Sequence, residues 1–372
     1  MAASTSEAAP SKSNEKRYDL ENSPFIELKT PFADAEAWRM AIMLPLVIPR
    51  MLIMICAFAV VALINTLAAW NWPVDKPLPA ARRAWVLFSK EFLVVSLWML
   101  GFRVKVTGRE NIAKAEELGS VIVFNHVSYV DAPAIMWLLA PSGVGKSSVS
   151  NVPILKYVVR AYQAVFFHEE KKPRDGAAAA PAAPPKPPKK NPVAYVVTGS
   201  VTEVLMKRVG EPSYGKPGGF PMVCMAPEGT CSDGRGLLEF RTGAFVLGRP
   251  VLPVCLKYKI NDHNPAWTQV YSELWHLVRL LSQWRNELEI IVLPPYVPSA
   301  EERADPKLYA NNVRTLMGKA MNQPLLPHSH AHFLALKKLK VTADWTGTTI
   351  LARPGVVEEG RYVDFAKHGL TA

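Results

Sequence analysis

Cysteine is scarce in this chain, with four in 372 residues, at positions 56, 224, 231 and 255. None has metal-type or redox-pair spacing, so all four read as reduced packing residues of a protein facing the cytosol. An N-x-S/T sequon is also missing, which fits a catalytic domain on the cytosolic side. No secretory signal opens the chain, because the first apolar run begins too far from Met1. His328, His330 and His332 have no carboxylate or cysteine at ligand spacing, so they read as a solvated loop, and no metal site is expected. No calcium-binding EF-hand loop follows them. Acidic residues are the minority, 32 against 43 basic, giving a net charge of +11. Such a surplus suits nucleic acid, an anionic membrane or an anionic substrate. With no nucleic-acid motif and a long apolar run present, the expected partner is a lipid bilayer and not a nucleic acid.

Residues 1–37 read as a disordered N-terminal tail, polar over roughly the first 22. Residues 38–102 read as a membrane region. Pro45 and Pro49 interrupt its first apolar segment, which suggests an interfacial helix leading into a span. Residues 51–70 then carry no charge, and about 20 residues of helix cover about 30 Å, the thickness of a bilayer core. Residues 85–102 are broken by Lys90 and Glu91, leaving a piece too short to cross, so an interfacial or re-entrant helix is expected there. Strands at 103–107, 121–124, 164–167, 222–226, 251–258 and 289–293 alternate with helical stretches across 103–322. That alternation predicts an α/β fold, a mostly parallel sheet flanked by helices. An Ala-Pro-Lys insert at 169–192 interrupts the domain and reads as an extended basic linker. Residues 265–285 read as an amphipathic helix. Ser299 with Glu302 forms a capping box that opens the next helix, to about Asn322. Residues 323–372 read as a C-terminal extension without an assignable role.

The most informative stretch is VIVFNHVSYVDAP, 121–133. A buried strand leads into Asn125 and His126, and Asp131 lies five residues past the histidine. Both side chains reach one site only if His126 precedes a helix that holds Asp131 in its first turns. A carboxylate against one imidazole nitrogen fixes the tautomer and leaves the other nitrogen free to take a proton. A hundred residues on, a second strand ends in Pro227, Glu228, Gly229 and Thr230, followed by FRTGAF and VLPVCLKY. In this order, NHVSYVD, PEGT, FRTGAF and VLPV resemble the blocks of the glycerolipid acyltransferase family. The stretch ELEIIVLPPYVPSAEERADPKLYANNVRTLMGKAM, 287–321, resembles the lysophospholipid acyltransferases that remodel phosphatidylcholine and phosphatidylethanolamine.

The resemblance implies acyl transfer from acyl-CoA, a co-substrate and no bound cofactor, to a lysophospholipid acceptor at the endoplasmic reticulum membrane. It makes His126 the general base and Asp131 its orienting partner, with direct transfer and no acyl-enzyme. It places Glu228, Gly229 and Thr230 at the glycerophosphate part of the acceptor, with Arg241 against the phosphate and Asn125 among the substrate-binding residues. The chain departs from the family block G-x-x-F-x-x-R, since Glu169 stands where the arginine is expected. Lys171, Lys172, Arg174 or Arg241 would then supply the missing charge. Three rival readings remain: an acyltransferase taking 1-acylglycerol-3-phosphate, a non-enzymatic membrane scaffold, and a nucleotide-binding protein. The last rests on APSGVGKS at 140–147, a relaxed phosphate-loop pattern that would have to follow a strand and open a helix.

Overall fold

The structure is a computed structural model and describes residues 17–370 apart from 153, 169–194, 198, 262 and 269–271. Eight strands form one sheet: β1 (Phe102–Thr107), β2 (Val121–Phe124), β3 (Ser142–Lys146), β4 (Val165–Phe167), β5 (Tyr195–Val197), β6 (Val223–Met225), β7 (Val251–Tyr258) and β8 (Asn286–Val292). Their spatial order is β1-β8-β7-β2-β6-β3-β4-β5. Every neighbouring pair is parallel except β7 with β8.

The reason is legible in β2. Successive side chains on a strand point to opposite faces, and all of Val121, Ile122 and Val123 are fully buried. Ile122 joins one apolar layer with Leu252, Val254, Ile290 and Leu280, while Val121 and Val123 join the opposite one with Val223, Val313 and Met317. A sheet covered on both faces needs apolar residues at every position, and this is how parallel sheets are built. α5 (Asp131–Leu139) and α8 (Glu273–Leu281) cover the first face, and α10 (Pro306–Met321) the second.

The helix read at 265–285 is confined to α8, which Ser272 caps through the amide of Trp275. The capping box of Ser299 and Glu302 opens α9 (Ala300–Ala304). Asp305 and Pro306 then restart the chain as α10, which stops at Asn322 in the left-handed region. The APSGVGKS stretch is the strand β3, paired on one side with β6 and on the other with β4. An extended segment locked between two strands cannot wrap a phosphate, so the nucleotide-loop reading is wrong.

Residues 34–68 form one helix, α1 (Asp34–Ala68), which runs through Pro45 and Pro49. Each proline forfeits a backbone hydrogen bond, but the helix is held from outside. Glu36 is sealed against the domain by Arg279, with contacts of 2.9 and 2.8 Å. Arg50 donates to the carbonyls of Leu281 and Gln283. At the far end Ala68 packs with Ala140, Val158 and Tyr162. Both ends of α1 therefore lie against the domain, and its outer side exposes Ile42, Leu52 and Leu63. The second apolar stretch divides into α2 (Ala80–Ser89) and α3 (Leu93–Met99), joined by a tight turn over Lys90–Phe92.

Two terminal readings need correction. Residues 17–33 are not a free tail, because Tyr18 and Asp19 pair with Val363 and Tyr362. Tyr18, Leu20, Phe25 and Ile26 share an apolar cluster with Phe333, Leu336 and Val363. The polar composition hid four well-spaced large apolar residues. The three histidines are not a solvated loop either. His328 sits edge-on to Tyr18, His332 closes a capping box with Ser329, and His330 begins α11 (His330–Leu339). No metal-binding group occurs among the described residues. The insert at 169–192, with Glu169, Lys171, Lys172 and Arg174, lies outside them.

Candidate active site

β2 and β6 are neighbours, and their carboxyl ends deliver NHVSYVD and PEGT to the same edge of the sheet. Ligands of open α/β sheets bind at such edges. His126 sits in the turn after β2, and Asp131 is the first residue of α5. Asp131 is fully buried. Its Oδ2 accepts from His126 Nδ1 at 2.7 Å, from the Val127 amide at 2.7 Å and from the Ser128 amide at 2.9 Å. Its Oδ1 accepts from the Tyr258 hydroxyl at 2.5 Å. With Asp131 Oδ2 accepting from it, the imidazole carries its proton on Nδ1, and Nε2 is left as the basic atom.

The His126 side chain is 29% exposed while that of Asp131 is sealed, so the base reaches the surface and its orienting group does not. Burial alone pushes the imidazole down. The Asp131 carboxylate beside it and the sulfur of Cys231 more than reverse this and hold His126 well above the ordinary histidine value. Cys231 arrives there because the Ser232 amide donates to the His126 carbonyl at 3.1 Å. Ser128, inside the motif, is completely buried and presents no surface to a substrate.

Glu228 faces inward. One oxygen accepts from the His126 amide at 2.8 Å and the other from the Leu238 amide at 2.9 Å. Burial pushes this carboxyl up to about 7 against the pull of its two amide donors. Its contact with the chemistry is therefore through the His126 backbone. Asn125 is also buried, and its amide bonds both the N–H and the carbonyl of Leu256, at 2.7 and 2.9 Å. It extends the β2–β7 ladder by one rung, and its side chain is turned away from the cleft. Thr230 is 4% exposed. Gly229 has φ +74°, and a Cβ there would meet the Arg241 side chain at 3.1 Å. The exposed Arg241 lies over that turn, held by its own amide bond to Pro227 at 2.8 Å. Thus His126, Gly229 and Arg241 present themselves at one edge, while Asp131, Asn125, Glu228 and Thr230 build the wall behind them.

Sequence reasoning missed three groups. Cys231 had read as packing only. Lys146 ends β3, two strands from β2, and adds a cation to the same edge. Tyr258 gave one usable signal, a phenol closing an otherwise apolar strand.

The family model described as Acyltransferase matches residues 103–257. Residues 103–257 belong to the acyltransferase family. The match spans β1 to β7 and contains every group described above except Tyr258, one residue past its end. Among curated relatives of this chain, the Lysophospholipid acyltransferase LPEAT1 of Arabidopsis thaliana is 38% identical over 57% of this chain and 47% of its own length. Lysophosphatidylcholine acyltransferase 1 of Danio rerio is 30% identical over 72% of this chain and 44% of its own. The chain spans about half the length of the curated relatives it matches. A solved structure, the 1-acyl-sn-glycerophosphate (LPA) acyltransferase PlsC from Thermotoga maritima, aligns with a TM-score of 0.46 and 18% identity over 77% of this chain and 98% of that one.

Proposed function

We propose that this chain is a membrane-bound, acyl-CoA-dependent acyltransferase that esterifies lysophospholipids such as lysophosphatidylcholine and lysophosphatidylethanolamine. One observation carries the reading: an imidazole open on Nε2 and oriented at 2.7 Å by a sealed carboxylate, at the carboxyl edge of a parallel sheet. The names of the relatives support the lysophospholipid acceptor.

In the proposed reaction Nε2 takes the proton of the acceptor hydroxyl as its oxygen attacks the thioester carbonyl. The tetrahedral intermediate collapses, the carbon–sulfur bond breaks, and the imidazolium returns its proton to the departing thiolate. The ester forms with no group of the protein acylated. Asp131 stabilises the imidazolium, as the carboxylate does in hydrolase triads. Arg241 at Gly229 is positioned to hold the acceptor phosphate, with Lys146 contributing charge from the neighbouring strand end. The outward apolar side of α1 is the membrane contact, and the domain faces the cytosol at the endoplasmic reticulum.

Membranes supplied with radiolabelled acyl-CoA and a panel of acceptors test this, using wild type and His126→Ala. Labelled phosphatidylcholine or phosphatidylethanolamine from wild type only is the expected result. Product from 1-acylglycerol-3-phosphate alone would reassign the acceptor, and substantial turnover by His126→Ala would remove the base.

A further inference from the structure

The reaction above uses the imidazole and Asp131 Oδ2. The second carboxylate oxygen is engaged from another strand, by the last residue of β7. Tyr258 is 6% exposed, its hydroxyl lies 2.5 Å from Asp131 Oδ1, and its ring packs edge-on against Phe102. The strand that carries it is pinned two residues earlier, where Asn125 bonds both backbone groups of Leu256. Phenol and carboxylate therefore meet from two elements whose register is fixed. Burial, and then the Asp131 charge, hold the phenol well above its ordinary value, so it stays protonated and donates.

We propose that Tyr258 is a positioning residue for the transfer, fixing the plane of the Asp131 carboxylate and drawing charge from it so that His126 gives up its proton more readily. The proposal rests on the reading of His126 as general base. A carboxylate held on one oxygen only can turn about its bond and is more basic. An imidazolium facing a more basic carboxylate gives up its proton less readily. Removing the hydroxyl also leaves Oδ1 without a donor in a sealed site, since the other three donors are all on Oδ2. The remaining titratable groups facing the pair are Cys231 and Glu228 from the loop after β6, and Tyr129 from the turn before α5.

The test compares full-length wild type, Tyr258→Phe and His126→Ala in membranes, with acyl-CoA and lysophosphatidylcholine. Tyr258→Phe should keep KM within about twofold, lose about tenfold in kcat, and move the acid limb of kcat/KM to higher pH by up to about one unit. A purely structural tyrosine would not move the limb. Site-specific replacement of Tyr258 by a fluorinated tyrosine keeps the shape and strengthens the donor, and should move the limb to lower pH. This second variant decides the matter if Tyr258→Phe fails to fold. An unmoved limb in the variants that fold, alongside an inactive His126→Ala, overturns the proposal and leaves the base intact. Turnover by His126→Ala removes the base and the proposal with it.

Discussion

At the scale of single residues, the two acidic groups at the site do different work. Asp131 accepts from four donors, His126 among them, whereas Glu228 is divided between two backbone amides of different loops. Replacing Glu228 with Gln puts an amide NH2 against one of those N–H groups. A buried donor facing a donor costs about 1–3 kcal/mol, so Glu228→Gln should lower the unfolding midpoint and the activity together. Linkage gives the same residue a pH signature. Its carboxyl is at about 7 in the folded protein and near 4.5 when free, so the folded state binds more protons between those values. Stability therefore falls as pH rises from about 4.5 to about 7, and Glu228→Gln should flatten that slope in denaturant titrations.

His126 gives the kinetic counterpart. Held well above 6.5, it must lose a proton before it can act, so kcat/KM should climb with pH through a limb displaced to the alkaline side. Cys231 is one of the two groups that raise it. Cys231→Ala should bring the limb to lower pH with turnover persisting at the optimum. Radiolabel trapped on wild-type protein and lost in the variant would instead make the thiol a nucleophile.

At the scale of elements, the sequence was legible where pattern and chemistry agree. Val121–Phe124 and Val251–Tyr258 were read to the residue, because an apolar β-branched run between turns admits little else. The spacing of His126 and Asp131 likewise specified a turn followed by a helix. The inward roles of Asn125 and Glu228 were not legible. Both act on backbone groups more than a hundred residues away, and backbone carries no signature in sequence. β3 was missed because GVGK lacks bulky apolar residues; it is a strand because β6 and β4 supply partners on both sides. α1 has the opposite problem. Its composition announces an apolar helix, but only the Glu36–Arg279 pair shows that its start is clamped to the domain. Both side chains are about 1% exposed, and removing one partner of such a pair costs about 3–5 kcal/mol. Glu36→Ala should free the start of α1, read as new proteolytic cleavage near residue 36. The insert enters after β4 and leaves before β5 at the far edge of the sheet, so deleting residues 176–190 should leave intrinsic activity largely intact.

At the scale of the whole molecule, the described residues form a sheet domain with a long helix laid along it and with residues 18–19 paired to 362–363. Mean hydropathy over the apolar window of α1 is 2.6, with 22% of that window buried. An outer face of that kind should carry the protein to lipid. Aspartates at Ile42, Leu52 and Leu63 should reduce flotation with vesicles while leaving the His126 site in place.

That pairing of distant segments bears on biosynthesis. Asp19 binds Arg361 across 342 positions of sequence, so residues 17–33 leave the ribosome long before their mate exists. Until then Phe25 and Ile26 have no cover. The emerging chain must carry a sticky, unfinished clasp while the 342 positions between Asp19 and Arg361 are translated, and a chaperone or the bilayer itself is the natural place to shelter it.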